Sequence, residues 1–106
     1  MPKYLFIGKY TADGARGVVK DGGSKRRQVA QRLMESLGGS VEAYYFGFGA
    51  DDFYVIADLP DHAAAAAASL TVGASGAMGT RTVVLLTADE IDDATKRSAS
   101  FTPPGD

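Results

Sequence analysis

Cysteine is absent from this chain, and histidine occurs once. The first absence removes disulfides, thiolate nucleophiles and thiolate-held metals together. The second leaves any metal site mainly to carboxylates and any serine–histidine mechanism to one residue, His62. Long apolar runs are also missing. The least polar stretch, around Ala63–Leu70, is alanine-dominated and far too short to span a bilayer. Nor is either charge in excess. Eleven Lys and Arg stand against 13 Asp and Glu, a net charge of −2 that exerts no general pull on nucleic acid or an anionic membrane. The basic, glycine and aromatic signature of base-stacking sheets is missing too. The opening Met1-Pro2-Lys3-Tyr4 moves straight into a strand-like run, so no leader segment is expected. A cytoplasmic protein is expected, with neither membrane nor nucleic acid as a partner and no cofactor.

What the chain does have is strands that are apolar on both sides. Tyr4-Leu5-Phe6-Ile7, Tyr44-Tyr45-Phe46-Gly47-Phe48, Phe53-Tyr54-Val55-Ile56-Ala57 and Val83-Val84-Leu85-Leu86 lack the in/out alternation of a half-solvated sheet. Such strands are expected to be buried on both faces. A chain of 106 residues makes one domain, and its helices suffice to cover one side of a sheet. The second cover must come from another copy, a ligand or a partner, so a homodimer or higher homo-oligomer joined through the sheet is expected.

The order of elements follows from punctuation. Lys3–Tyr10 reads as a strand, and Thr11 caps a short helix to about Lys20, weakened by Gly14 and Gly17. After the break at Asp21-Gly22-Gly23, Ser24 is expected to cap a longer helix ending at Gly38-Gly39. Val29, Leu33 and Leu37 recur at helical spacing there, with Ala30 and Met34 widening the stripe. Val41–Phe48 and Asp52–Leu59 read as a hairpin around Gly49-Ala50-Asp51. Asp61 caps an alanine-rich helix, Thr80–Leu86 is the fourth strand, and Thr87 with Glu90 forms a capping box for a last helix to about Lys96-Arg97. A domain over residues 1–97 and an extended tail over 98–106, with Pro103-Pro104-Gly105, are expected. The order β-α-β-β-α-β with right-handed crossovers predicts an α+β, ferredoxin-like split sandwich. It has four antiparallel strands with helices on one face, plus an extra C-terminal helix.

Several segments carry a family resemblance. They are Lys20-Asp21-Gly22-Gly23-Ser24-Lys25-Arg26-Arg27, Tyr45-Phe46-Gly47-Phe48-Gly49 followed by Asp51-Asp52, and Tyr54-Val55-Ile56-Ala57-Asp58-Leu59-Pro60-Asp61. Ala74-Ser75-Gly76, Val84-Leu85-Leu86-Thr87 and Pro103-Pro104-Gly105 follow in the same order. In this order the chain resembles the GYD-domain family over nearly its whole length. The family's naming motif, Gly-Tyr-Asp, stands here as Gly49-Ala50-Asp51. The resemblance implies a ferredoxin-like fold of the dimeric α/β-barrel type; the family has no established general activity, so it speaks to fold far more than to function.

Two residue sets offer chemistry. Gly22, Gly23, Ser24, Arg26 and Arg27 surround a helix start, where free backbone N–H groups attract anions and a glycine pair admits close approach. Cations in a first helical turn oppose the helix dipole, so this turn asks for a counter-charge: a bound phosphate or carboxylate, or acids of the protein itself. In the second set, strand alternation places Tyr44 and Phe46 with Glu42, Tyr54, Asp58 and Arg81 on the helix-free side. There Tyr44, Phe46, Tyr54 and Arg81 would line a pocket between sheet faces, or satisfy one another across a dimer contact. Asp51-Asp52 and Asp89, Asp92 and Asp93 match no calcium loop and suit turn and dipole roles; no metal site is expected.

Two functions remain open on these residues. One is a non-enzymatic oligomeric module that holds a small apolar or anionic molecule between sheet faces. The other is a cofactor-independent oxygenase or isomerase of an aromatic or unsaturated acid, with Tyr44, Tyr54, Arg81 and His62 orienting the substrate and shuttling a proton. The second rests on fold-level analogy.

Overall fold

Aromatic and β-branched residues extend Lys3–Tyr10 as β1, the strand on which the rest is assembled in this computed structural model of residues 1–106. Thr11 ends β1 and caps α1 (Ala12–Asp21), its side chain accepting from the Gly14 amide. Gly22, at φ 80°, closes α1 and opens α2 (Gly23–Ser36). Only glycine adopts that backbone cheaply, so the junction falls there. The expected Ser24 cap is therefore corrected: the turn is made by Gly22, and no side chain caps α2.

The second strand, β2 (Ser40–Phe46), turns back through Gly47–Asp52 into β3 (Phe53–Asp58). β2 stops at Phe46, earlier than the apolar run suggests, because the Gly47 amide donates to the Asp52 carbonyl and closes the turn. Asp61 caps α3 (His62–Ala74), accepting from the Ala64 amide. Then come β4 (Met78–Leu85) and α4 (Ala88–Thr95), the latter opened by a complete Thr87/Glu90 capping box. The four strands form one antiparallel sheet in the order β2-β3-β1-β4, the ferredoxin-like split sandwich.

One irregularity decides which residues face where. The β2–β3 register slips between Val41 and Ala43, so Glu42 stands unpaired in a β-bulge. Val41 still opposes Ala57 on the helix side. Beyond the bulge the alternation inverts: Tyr44 opposes Val55 and Phe46 opposes Phe53, while Ala43 and Tyr45 fall opposite Ile56 and Tyr54. Tyr44 and Phe46 thus lie on the helix side, a correction to strict alternation, and Ala43 takes the open side.

Beneath the helices sits a wholly apolar core. Tyr4 and Phe6 of β1 and Phe53, Val55 and Ala57 of β3 meet Met34 of α2 and Ala65 and Ala68 of α3. Gly8 belongs to this packing through what it lacks: a Cβ there would lie 1.8 Å from the Phe53 ring. The ring occupies the space a side chain would take, and it also stacks near Tyr10 and Tyr44.

The far end of the chain packs differently. No residue of α4 is buried, and residues 98–106 are all exposed. The radius of gyration is 16.8 Å, against about 13 Å for a folded domain of this length. The accessible surface is 7089 Å², against roughly 5,700 Å² for a monomer of this mass.

Candidate functional site

Register across the sheet sorts the candidate residues into two sites. On the open face, one row runs Tyr45–Tyr54–Ile7–Arg81, the next Ala43–Ile56–Leu5–Val83, and the last Asp58–Lys3–Leu85. The centre is apolar, with Tyr45, Tyr54 and Val83 exposed by 71%, 39% and 42%. Its corners are ion pairs. Lys3 Nζ reaches Asp58 at 2.8 Å and the bulged Glu42 at 2.9 Å, and these two hydrogen bonds raise the Lys3 pKa. At the opposite corner Arg81 donates to Asp51 at 2.9 Å. Of the sequence-derived candidates, Tyr54 and Arg81 therefore lie here, and Arg81 already has a carboxylate.

Asp51 belongs to the β2–β3 turn, so its bond to Arg81 ties that turn to the far edge of the sheet. Asp52 completes the attachment. It accepts from the Tyr10 amide at 2.8 Å and from Lys9 at 3.2 Å, while its own amide donates to the Gly8 carbonyl. The Tyr10 amide, assisted by Lys9, holds the Asp52 carboxyl below the usual carboxylate range, against the opposing effect of burial.

The helix side holds a partly open cleft that the sequence did not locate. α2 leans on β2 and α3 on β4, leaving a gap over the middle of the sheet. Small side chains on α3 keep it open: Ala68 is on its wall, opposite Leu33 and Met34 of α2. The cleft has a volume of about 70 Å³ and is lined almost entirely by apolar groups, with Phe6, Phe53 and Val55 as its floor. Arg26, Tyr44, Ser69 and Thr80 are its polar members. A second cavity of about 110 Å³ lies on the other side of Arg26 and Met78, with Tyr10 and Gly14 in its wall.

Arg26 comes from the basic turn and Tyr44 from the aromatic set, so the fold joins one residue from each candidate group. Phe46 packs beside them, its ring 3.1 Å from where a Gly23 Cβ would lie, and stacks at a tilt on Tyr44. Burial pushes the Tyr44 phenol far above its ordinary value; Tyr10 adds to the rise and the Arg26 charge opposes it. Tyr10 itself was not anticipated. Its position, two residues beyond Gly8 on the face of Tyr4 and Phe6, was the available signal.

The rest of the basic turn does not converge on one point. Lys25 pairs with Asp21 at 3.8 Å, and Gly22, Gly23, Ser24 and Arg27 are all exposed. The counter-charge that the turn asks for is supplied in part by the protein's own Asp21. His62 stands at the start of α3, where its Nδ1 meets the Tyr4 hydroxyl at 2.6 Å across an edge-to-face ring contact. Tyr4 is buried, which raises its phenol pKa, with the charge of Asp61 adding to the effect. No group of three or more His, Asp or Glu side chains is placed to hold a metal ion. No helix is long and apolar enough to cross a membrane.

Comparison with known proteins adds a family and nothing finer. No curated protein and no solved structure matches the chain. The family model described as the GYD domain matches residues 4–95, from the first core tyrosine of β1 to the last residue of α4. With its sheet, its helices and the turn that holds Gly49-Ala50-Asp51 all inside that match, the chain belongs to the GYD-domain family.

Proposed function

We propose that this GYD-domain protein is a homo-oligomeric module, in its simplest form a homodimer whose copies cover each other's open sheet faces, and that it holds a small apolar or anionic molecule. The open face carries the reading. Its centre is as apolar as a core strand, and its two charged corners present both signs, so a two-fold axis running between the two corners would set unlike charges against each other. The surface in excess of a compact monomer is roughly 1,400 Å², more than the ~800 Å² per partner of a standard interface. The unburied arm, with Ala88 and Ile91 on one stripe of α4, accounts for part of that excess.

An oxygenase or isomerase of the kind considered above would gather Tyr44, Tyr54, Arg81 and His62 around one substrate. Tyr44 lies under the helices, Tyr54 and Arg81 on the opposite face, and His62 is engaged with Tyr4. No observation favours that reading.

The test is the oligomeric state. Light scattering on the wild-type chain at micromolar concentration should give at least twice the 11.1 kDa monomer mass. Lysine at Ile56 and Val83 should return it to a monomer with unchanged far-UV circular dichroism. A wild-type chain that stays monomeric at that concentration would overturn the reading.

A further inference from the structure

Arg26 is the one cation that is neither ion-paired nor fully exposed. The chain's other cations without an ion pair, Lys20, Arg27, Arg32 and Lys96, are all exposed. Arg26 is mostly withdrawn from solvent, and its Nε is buried without a hydrogen-bond partner. The Tyr10 hydroxyl, close to the Tyr44 phenol, is likewise buried and makes no hydrogen bond of good geometry; Tyr10 and Arg26 wall the same cavity, whose one acid, Asp13, is paired with Arg16. Withdrawn charges are normally paired, and buried polar groups are normally hydrogen-bonded. Two unmet donors beside an apolar cleft call for an acceptor joined to an apolar body.

From this juxtaposition we infer that the space around Arg26 is a binding site for a small monocarboxylate, its carboxylate on Arg26 and Tyr10 and its hydrocarbon part in the cleft between α2 and α3. A planar carboxylate matches the fork of a guanidinium, whose Nε–H and Nη–H groups donate side by side. A polyanion would need a second cation, and the cleft has none: beyond Arg26 and Tyr44 its polar groups are the neutral hydroxyls of Ser69, already bonded to Thr82, and Thr80. The volume sets the size. A cavity of about 150 Å³ accommodates benzene, so the 70 Å³ cleft takes a tail of roughly three or four carbons. This inference rests on the ligand-holding half of the proposed function and is independent of dimerisation. It moves the ligand from between the sheet faces to the helix side.

The chain supplies its own reporters. Of its three methionines, Met34 and Met78 line the cleft and Met1 is remote and exposed. With 13C-methyl methionine in the full-length protein, isovalerate should shift the Met34 and Met78 signals saturably and leave Met1 in place. Isovaleramide, the same body without the charge, should bind at least tenfold more weakly, and Arg26→Gln should abolish the isovalerate shifts. Tyr10→Phe should weaken binding severalfold, which keeps the inference testable should Arg26→Gln fail to fold. The idea is overturned by an absence of saturable shifts in the wild type, by equal response to the amide, or by shifts that persist in Arg26→Gln. Light scattering on the same samples separates the two halves: a dimer that ignores isovalerate sinks the site and spares the assembly, whereas a monomer that binds it does the reverse.

Discussion

The two faces of one sheet have been solved in opposite ways. Under the helices, Tyr4, Phe6, Phe53, Val55 and Ala57 are closed off by α2 and α3, and no charged side chain enters the buried set. On the other face, Leu5, Ile7 and Ile56 have comparable hydrophobicity, with Ala43, Val83, Tyr45, Tyr54 and ion-paired side chains beside them but no helix above them. The comparison shows that burial here is limited by the supply of covering elements and not by the strands. The chain spends α2 and α3 on one face and sends α4 away from both. It also shows where specificity is placed: the open face holds its charges in pairs at the corners, while the covered face holds one withdrawn cation with no partner.

Truncation of matching residues on the two faces should break the symmetry most visibly. Phe53→Ala removes a ring that fills the Gly8 concavity and should cost about 3–5 kcal/mol in urea unfolding. Val83→Ala on the open face should cost under ~1 kcal/mol in the dilute monomer but should abolish the rise of the unfolding midpoint with protein concentration. Equal costs at low concentration would mean that the open face is already covered within the chain.

A smaller effect separates the arm from both faces. Thr87→Ala deletes the α4 capping box and should destabilise that helix by about 1 kcal/mol. Because α4 buries nothing in its own chain, hydrogen exchange should accelerate at Ile91–Thr95 only, with the global unfolding midpoint unmoved in the monomer. A global loss of similar size would show that the arm packs on the core.

The smallest differences are titrations of opposite sign. Asp52 has a lowered folded pKa, so its stabilisation is complete above the ordinary carboxylate value of about 3.9 and fades as pH falls through the folded value. Tyr44 has a raised folded pKa, so its contribution is intact below the ordinary phenol value of about 10 and fades as pH climbs beyond it. Asp52→Asn should flatten the acid limb of a stability–pH curve and Tyr44→Phe the alkaline limb. An unaltered limb in either variant would remove that residue from the account.

Much of this was legible in the residues, and the failures have one cause each. Thr11, Asp61 and the Thr87/Glu90 pair fixed helix starts, because a cap is a contact between near neighbours. Ser24 misled because Gly22 adopts a left-handed backbone two residues earlier, and sequence does not say which glycine of a pair will turn. Tyr44 and Phe46 were set on the wrong face because alternation counts residues, and the Glu42 bulge adds one that pairs with nothing. Arg26 was visible as part of a basic cluster, but its separation from Arg27 depends on the rotation of α2 over the sheet.

By itself, then, the order of residues determined the elements, their succession and the surplus of apolar strand surface, since all three arise from short-range propensity and from composition. Which cation was drawn partly out of water, which tyrosine came to line the cleft, and where that cleft lay were settled only when α2 and α3, separated in the chain by residues 37–61, were laid side by side on the sheet. Desolvation depends on what arrives from elsewhere, and no local pattern records it.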